Sequence, residues 1–260
     1  MLNVAIEAAQ EAGKFLKHNL GKVKEINVKS GQEKNLVTEI DKKSEELVVS
    51  IIRKHFPGHD ILAEESGNEH GKESEYRWII DPLDGTTNFT HGLPIFCVSI
   101  GLERKGEVIA GVIYDPNLDE LFSAEKGRGA FLNGRRLRVS QTPSLKQSLL
   151  VSGFPYNVSE NPDNCLEHFV NFVIEGQGVR RMGSAAIDLA YVAAGRYDGF
   201  WEVHLNAWDM AAGVILIREA GGKITGFDGE EINIYGKKVV ASNGLIHDEM
   251  VNLIAKGKKK

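Results

Sequence analysis

The sequence predicts an α+β fold built from two intimate αβ halves, about 1–143 and 144–260, and three features carry that prediction. Apolar residues recur at helical spacing near the start. From Phe96 a run of apolar segments is split by glycine-containing turns. After "QTPS", at 141–144, the pattern becomes strand, helix, strand.

In the first half, "MLNVAIEAAQEAGKFL" puts Leu2, Ile6, Ala9 and Gly13 at helical spacing while Glu7 and Glu11 interrupt the apolar pattern, so it reads as a packing helix and not as a signal peptide. A second amphipathic helix opens at Ser44, where Leu47, Val48, Ile51, Ile52 and Phe56 recur before Pro57-Gly58 ends the run. "YRWII", just before Asp81, reads as a buried strand. "FCVSIGLERKGEVIAGVIYDP" and "ELFSAEKGRGAFLNGRRLRVS" then predict an antiparallel meander, with Asn133-Gly134 favouring a tight hairpin. In the second half, "SLLVSGF" and "YDGFWEV" read as strands around a helix near Cys165 to Ile174 and the segment "GSAAIDLAYVAAG". "WDMAAGVILIREAGG" is a helix with a Gly-Gly stop, and "KKVVASN" is a late strand before a C-terminal helix.

With 260 residues, 42% hydrophobic and 26% charged, the chain is long enough to bury a large core. A formal charge of −5, from 31 basic and 36 acidic side chains, provides no footprint for nucleic acid or an anionic membrane. Cys97 and Cys165 are far apart and in no ligand spacing, which argues against a disulfide framework or zinc site and suits small buried hydrophobes. No stretch is long and apolar enough to span a bilayer, so a cytoplasmic protein is expected. The tail "KGKKK" reads as a frayed, solvated end.

The segment "DPLDGTTNF", 81–89, concentrates chemistry. Hydrolysis of a phosphate monoester needs roughly 20 kcal/mol of barrier reduction, far more than one general acid or base supplies. Metal ions close that gap, and Mg²⁺ takes hard oxygen ligands of the kind Asp81 and Asp84 offer. Pro82 stiffens the turn and lets the Leu83 carbonyl face the site. Gly85 permits close backbone approach, and Thr86-Thr87-Asn88 can start a short helix whose amides face an anion. The competing reading is an Asp-Gly turn with threonine caps.

Other clusters admit two readings. Glu64 and Glu65 in "ILAEESG" are either a solvated face or ligands, and Asp209 in "NAWDMAAG" is either an N-cap or a further metal carboxylate. Lys29, Thr38 and Asp41 fit a surface lysine and a helix cap as well as a site. Gly183-Ser184 can cap a helix or meet a ligand hydroxyl, and Glu202 could accept from a polyol. There is no GxSxG elbow, Walker loop or HExxH, and "GQGVRR" and "GRGAFL" both fail GxGxxG.

Taken in order, "EE" at 64–65, "WIIDPLDGTTNF" at 78–89 and "WDMAAG" at 208–213 resemble the inositol monophosphatase family of magnesium-dependent, lithium-sensitive sugar phosphatases. The resemblance spans nearly the whole chain and implies a single domain over 1–260 with a layered α-β-α-β-α sandwich. It further implies a homodimer that hydrolyses small phosphorylated polyols or sugars with two to three Mg²⁺ ions. By that resemblance Glu64, Asp81 and the Leu83 carbonyl would hold one metal, Asp81, Asp84 and Asp209 a second, and Glu64 a third through water. Thr86, bonded to Asp41, would orient the attacking water with no covalent phosphoenzyme, so Thr86, Asp41 and Glu64 are the expected catalytic residues. The amides of Gly85 and Thr86 would bind phosphate, while Asp84, Gly183, Ser184, Ala185, Glu202 and Asp209 would meet the substrate. Lys29 would have a supporting electrostatic role. Two departures are Ala63 where the family often has glycine, and "HLNAWD", which lacks the arginine some bacterial members carry.

Haloacid-dehalogenase-like chemistry needs a second acid two residues after the nucleophilic aspartate, and position 83 is Leu. Within the family, inositol 1-phosphate is the expected substrate, with a fructose-1,6-bisphosphatase or dual-specificity activity as the alternative. A non-catalytic partner in a bacterial transcription complex is the alternative of another class.

Overall fold

A computed structural model describes residues 1–22, 26–28, 36–69 and 74–257. Lys29 and most of the basic tail therefore lie outside the described residues, as does the side chain of Thr38.

The first half runs α1 (Leu2–Asn19), the short pair β1 (Ile26–Val28) and β2 (Leu36–Thr38), α2 (Glu39–His55), β3 (Asp60–Ala63), β4 (Gly67–Glu69) and β5 (Tyr76–Asp84). It continues through α3 (Thr86–Thr90) into the meander β6 (Cys97–Arg104), β7 (Glu107–Asp115), β8 (Glu120–Glu125), β9 (Gly129–Leu132) and β10 (Arg135–Arg136). β3 to β10 form an eight-stranded sheet in the order β10-β9-β8-β7-β6-β5-β3-β4, antiparallel except for β3 beside β5. The Asn133-Gly134 hairpin joins β9 to β10 with both residues at positive φ, as its right-handed twist requires.

The second half holds β11 (Leu149–Ser152), α4 (Cys165–Glu175), β12 (Gly178–Arg180), α5 (Ala185–Ala193), β13 (Gly199–Val203), α6 (Ala207–Glu219), β14 (Lys223–Thr225), β15 (Lys238–Ser242) and α7 (His247–Lys256). Its five strands form a second sheet, β12-β11-β13-β15-β14.

Alternation along the strands builds the layers. On β5, Trp78 and Ile80 face the core under α1 and α2, while Ile79 faces the opposite core with α5 and α6. On the second sheet, Val151 and Phe200 face α5 and α6, whereas Leu150 and Trp201 face the outer core of α4 and α7. The result is an α-β-α-β-α sandwich. The central α6 is apolar nearly all round because sheet lies on both sides. It sits close on the first sheet because a Cβ at Gly101 or Gly111 would come within 2.6 Å of Ala211 or 2.7 Å of Ala212. Among the described residues no helix is long and apolar enough to cross a membrane.

Three sequence expectations need correction. α2 begins at Glu39, not Ser44, with Glu39 and Asp41 in a first turn that favours acids. The N-cap of α6 is Asn206, and Asp209 is its N3 residue, accepting from the Asn206 amide at 2.6 Å. The strand before Asp81 continues to Asp84, its register to β6 slipping between those two residues.

Candidate active site

Two elements converge at one end of the first sheet. The irregular end of β5 delivers Asp81 and Asp84, and the first turn of α6 delivers Asp209. One carboxylate oxygen from each lies within 4.8 Å of the others, forming a group able to hold a metal ion. Burial pushes the pKa of all three carboxyls upward, and their mutual charges, with that of Glu64, push Asp81 and Asp209 further. Desolvated like charges favour a cation between them, and three hard oxygens suit a hard divalent ion.

The turn is built to hold that shape. The Leu83 amide donates to Asp81 Oδ1 at 3.0 Å, and the Ser44 hydroxyl of α2 donates to the Pro82 carbonyl at 2.8 Å. Gly85 has φ 103°, and a Cβ there would meet the Ile95 carbonyl at 2.9 Å, so both conformation and space demand glycine. The Thr86 hydroxyl is 3.0 Å from Asp41 Oδ1 and 3.1 Å from the Leu83 carbonyl. Asp41, expected either at a surface cap or in the site, is buried in α2 beside Thr86.

Asp84 is also tied to the second half. Its Oδ2 accepts from the Ser184 hydroxyl at 2.6 Å and the Ala186 amide at 2.7 Å, at the N-terminus of α5. Ser184 thus caps α5 and holds Asp84 together, which commits the hydroxyl that the sequence left open to a ligand. Cys97 is buried as expected, but its sulfur lies 3.9 Å from Asp84 Oδ2. Glu64 stands outside the tight carboxylate group yet lines the same cavity. The adjacent Glu65 amide is gripped by Glu45 Oε2 at 2.8 Å, and the Ser66 amide by Oε1 at 2.8 Å.

A cavity of about 630 Å³ opens over the cluster. It brings together Glu64, Asp81, Leu83, Asp84, Gly85, Thr86, Gly183, Ser184, Ala185, Glu202 and Asp209; Asp41 reaches it only through Thr86. Burial, then the Asp209 charge, pushes Glu202 up to about 8. Sequence reasoning missed Arg181, Asp188 and Lys237, which also line it. Only Asp188 carried a signal, one helical turn after Ser184.

Residues 1–258 match the sequence profile of the inositol monophosphatase family. An inositol-1-monophosphatase of Mesorhizobium japonicum is 46% identical over 98% of this chain and 96% of its own. A Pseudomonas aeruginosa protein named Nus factor SuhB is 47% identical over 94% of this chain and 91% of its own. The solved extragenic suppressor protein suhB of Bartonella henselae superposes with a TM-score of 0.93 at 43% identity, over 98% of both chains. With the motifs, the layered fold and these likenesses in agreement, the chain belongs to the inositol monophosphatase family.

Proposed function

We propose that the protein is a cytoplasmic, homodimeric, Mg²⁺-dependent phosphate monoester hydrolase whose preferred substrate is inositol 1-phosphate. The observation that carries this reading is the convergence of Asp81, Asp84 and Asp209 beside the Thr86–Asp41 pair at the floor of an open cavity.

Asp81, Asp84 and Asp209 would hold one ion, Asp81, Glu64 and the Leu83 carbonyl another, with Glu64 reaching a third through water. Bound Mg²⁺ supplies charge neutralisation at the phosphate and lowers the pKa of water. Thr86 has a single hydroxyl proton. With that proton directed to Asp41 or the Leu83 carbonyl, its oxygen can accept from the attacking water and fix its direction. The amides of Gly85 and Thr86 receive the phosphate oxygens. Gly183, Ser184, Ala185 and Glu202 border the space left for the ring, and Ser184 acts there mainly by holding Asp84. A side chain two residues after Asp81 that could act as a second acid is missing, since position 83 is Leu, which favours direct attack by water over a phosphoenzyme.

Phosphate release from inositol 1-phosphate and fructose 1,6-bisphosphate, with and without Mg²⁺, tests this reading. Metal-dependent turnover, inhibited by Li⁺ and lost in Asp84→Asn, is expected, with the inositol ester leading. Turnover that ignores Mg²⁺ or survives Asp84→Asn would overturn it.

Two second readings have specific support. Arg181 and Lys237 line the cavity and could meet a second phosphate, which favours fructose-1,6-bisphosphatase activity. The relative named Nus factor SuhB supports a role as a partner in a bacterial transcription complex. For the homodimer, support comes from α4, whose Leu166, Val170, Val173 and Ile174 form an exposed apolar stripe at helical spacing.

A further inference from the structure

Two features of the cavity are left unexplained by the phosphate chemistry. Gly153 follows β11, and a Cβ built there would stand 2.3 Å from Oε1 and 2.4 Å from Oε2 of Glu202. Its φ is not in the left-handed region, so what this position demands of glycine is space. Glu202, buried at the end of β13, keeps its carboxyl against that backbone because residue 153 has no side chain. The second feature is Asp188 on α5. It is 1% exposed and lines the same cavity, yet its Oδ1 has no hydrogen-bond partner. A buried polar atom left unpaired is costly, and a ligand hydroxyl can relieve that cost.

We infer that Asp188 adds a direct contact to the subsite for ring hydroxyls at which Glu202 is already expected, and that Gly153 is the positioning residue for Glu202. This inference rests on the polyol reading above. The chemistry of the pair fits hydroxyls better than a further cation. Burial pushes both carboxyls upward, Glu202 to about 8, while Arg181 opposes the shift. A neutral carboxyl both donates and accepts, as a hydroxyl does. A site with such buried groups also rejects esters that lack the hydroxyls, because binding them leaves its own polar atoms unpaired.

The test compares wild type, Asp188→Ala, Asp188→Asn, Gly153→Ala and the double variant Gly153→Ala/Glu202→Asp in Mg²⁺, with thermal melts to establish folding. Each is assayed on inositol 1-phosphate and on p-nitrophenyl phosphate, which has no ring hydroxyls. Asp188→Ala and Gly153→Ala are expected to raise KM for the inositol ester about 10-fold, with kcat and the aryl ester nearly unchanged. Asp188→Asn, which keeps a donor and an acceptor in place, should stay near wild type. Shortening Glu202 by one methylene should recover part of the Gly153→Ala loss. Equal losses on both esters, or an unchanged KM for the inositol ester, would overturn the subsite alone. A wild-type enzyme that cleaves the aryl ester but no polyol phosphate would overturn the polyol reading, and the subsite with it.

Discussion

The Ser184 hydroxyl stands 2.6 Å from Asp84 Oδ2 and joins the two halves of the chain at the carboxylate cluster. Without it, Asp84 keeps the Ala186 amide, but α5 loses its cap and the buried carboxylate loses a donor. Ser184→Ala should therefore cost about 1–2 kcal/mol of stability and lower kcat/KM about 10-fold, whereas Ser184→Thr should keep most of both. Denaturant melts and steady-state kinetics decide the matter. An alanine variant as stable and active as wild type would remove any role for this bond.

The carboxylate cluster predicts metal-dependent stability. Asp81 and Asp84 are buried beside the half-buried Asp209, and a ligand that binds only the folded chain stabilises it by mass action. Mg²⁺ at 100 times its dissociation constant should add about 2.7 kcal/mol, and Asp209→Asn should reduce the shift. Identical melting with and without Mg²⁺ would count against the assignment.

Glu45 offers a test of how Glu64 is placed. Its two carboxylate oxygens take the Glu65 and Ser66 amides at 2.8 Å each, while the Glu64 amide bonds to the Ile80 carbonyl at 3.2 Å. Glu45→Gln retains one acceptor and turns an NH₂ group toward the other amide. Calorimetric titration should show Mg²⁺ affinity falling about 10-fold, the usual size for loss of an outer partner. Unchanged affinity would reduce Glu45 to a loop anchor.

The α4 stripe predicts the assembly. Ile174 is 71% exposed, and Ile174→Glu should convert a dimer into a monomer by sedimentation velocity while the circular-dichroism spectrum of the fold stays that of wild type. A wild-type chain that already sediments as a monomer would end this reading.

What could be read beforehand depended on how local the cause was. The 81–89 motif was legible because turn, carboxylates and amides lie in consecutive residues, and the meander because its period is two. β3, β4, β12 and β14 escaped because segments of three or four residues carry too little periodicity. Asp41 beside Thr86 came only through the family resemblance, since packing of α2 makes that contact across 45 residues. Gly153 beside Glu202 and Glu45 beside Glu65 could not be read at all. Each is a generic residue whose role arises only when two distant elements meet.

His247 sets a limit at acid pH. It is fully buried on α7, with Nε2 2.9 Å from the Thr225 hydroxyl and Nδ1 2.9 Å from the Ser242 hydroxyl. Burial, then the Lys223 charge, lowers its pKa to about 4 from 6.5. The unfolded chain therefore binds this proton first as pH falls. The contribution of neutral His247 is complete above pH 6.5 and is lost as pH drops toward 4, roughly 3 kcal/mol in all and about 2 kcal/mol between pH 7 and 5. The buried carboxylates run the other way, because their raised pKa values make the folded metal-free chain bind protons more readily on acidification. Subtracting the pH dependence of His247→Gln, which can still bond both hydroxyls, removes that shared term. Wild type should lose about 2 kcal/mol more than the variant between pH 7 and 5 in denaturant melts; parallel curves would show that the imidazole does not titrate in this way.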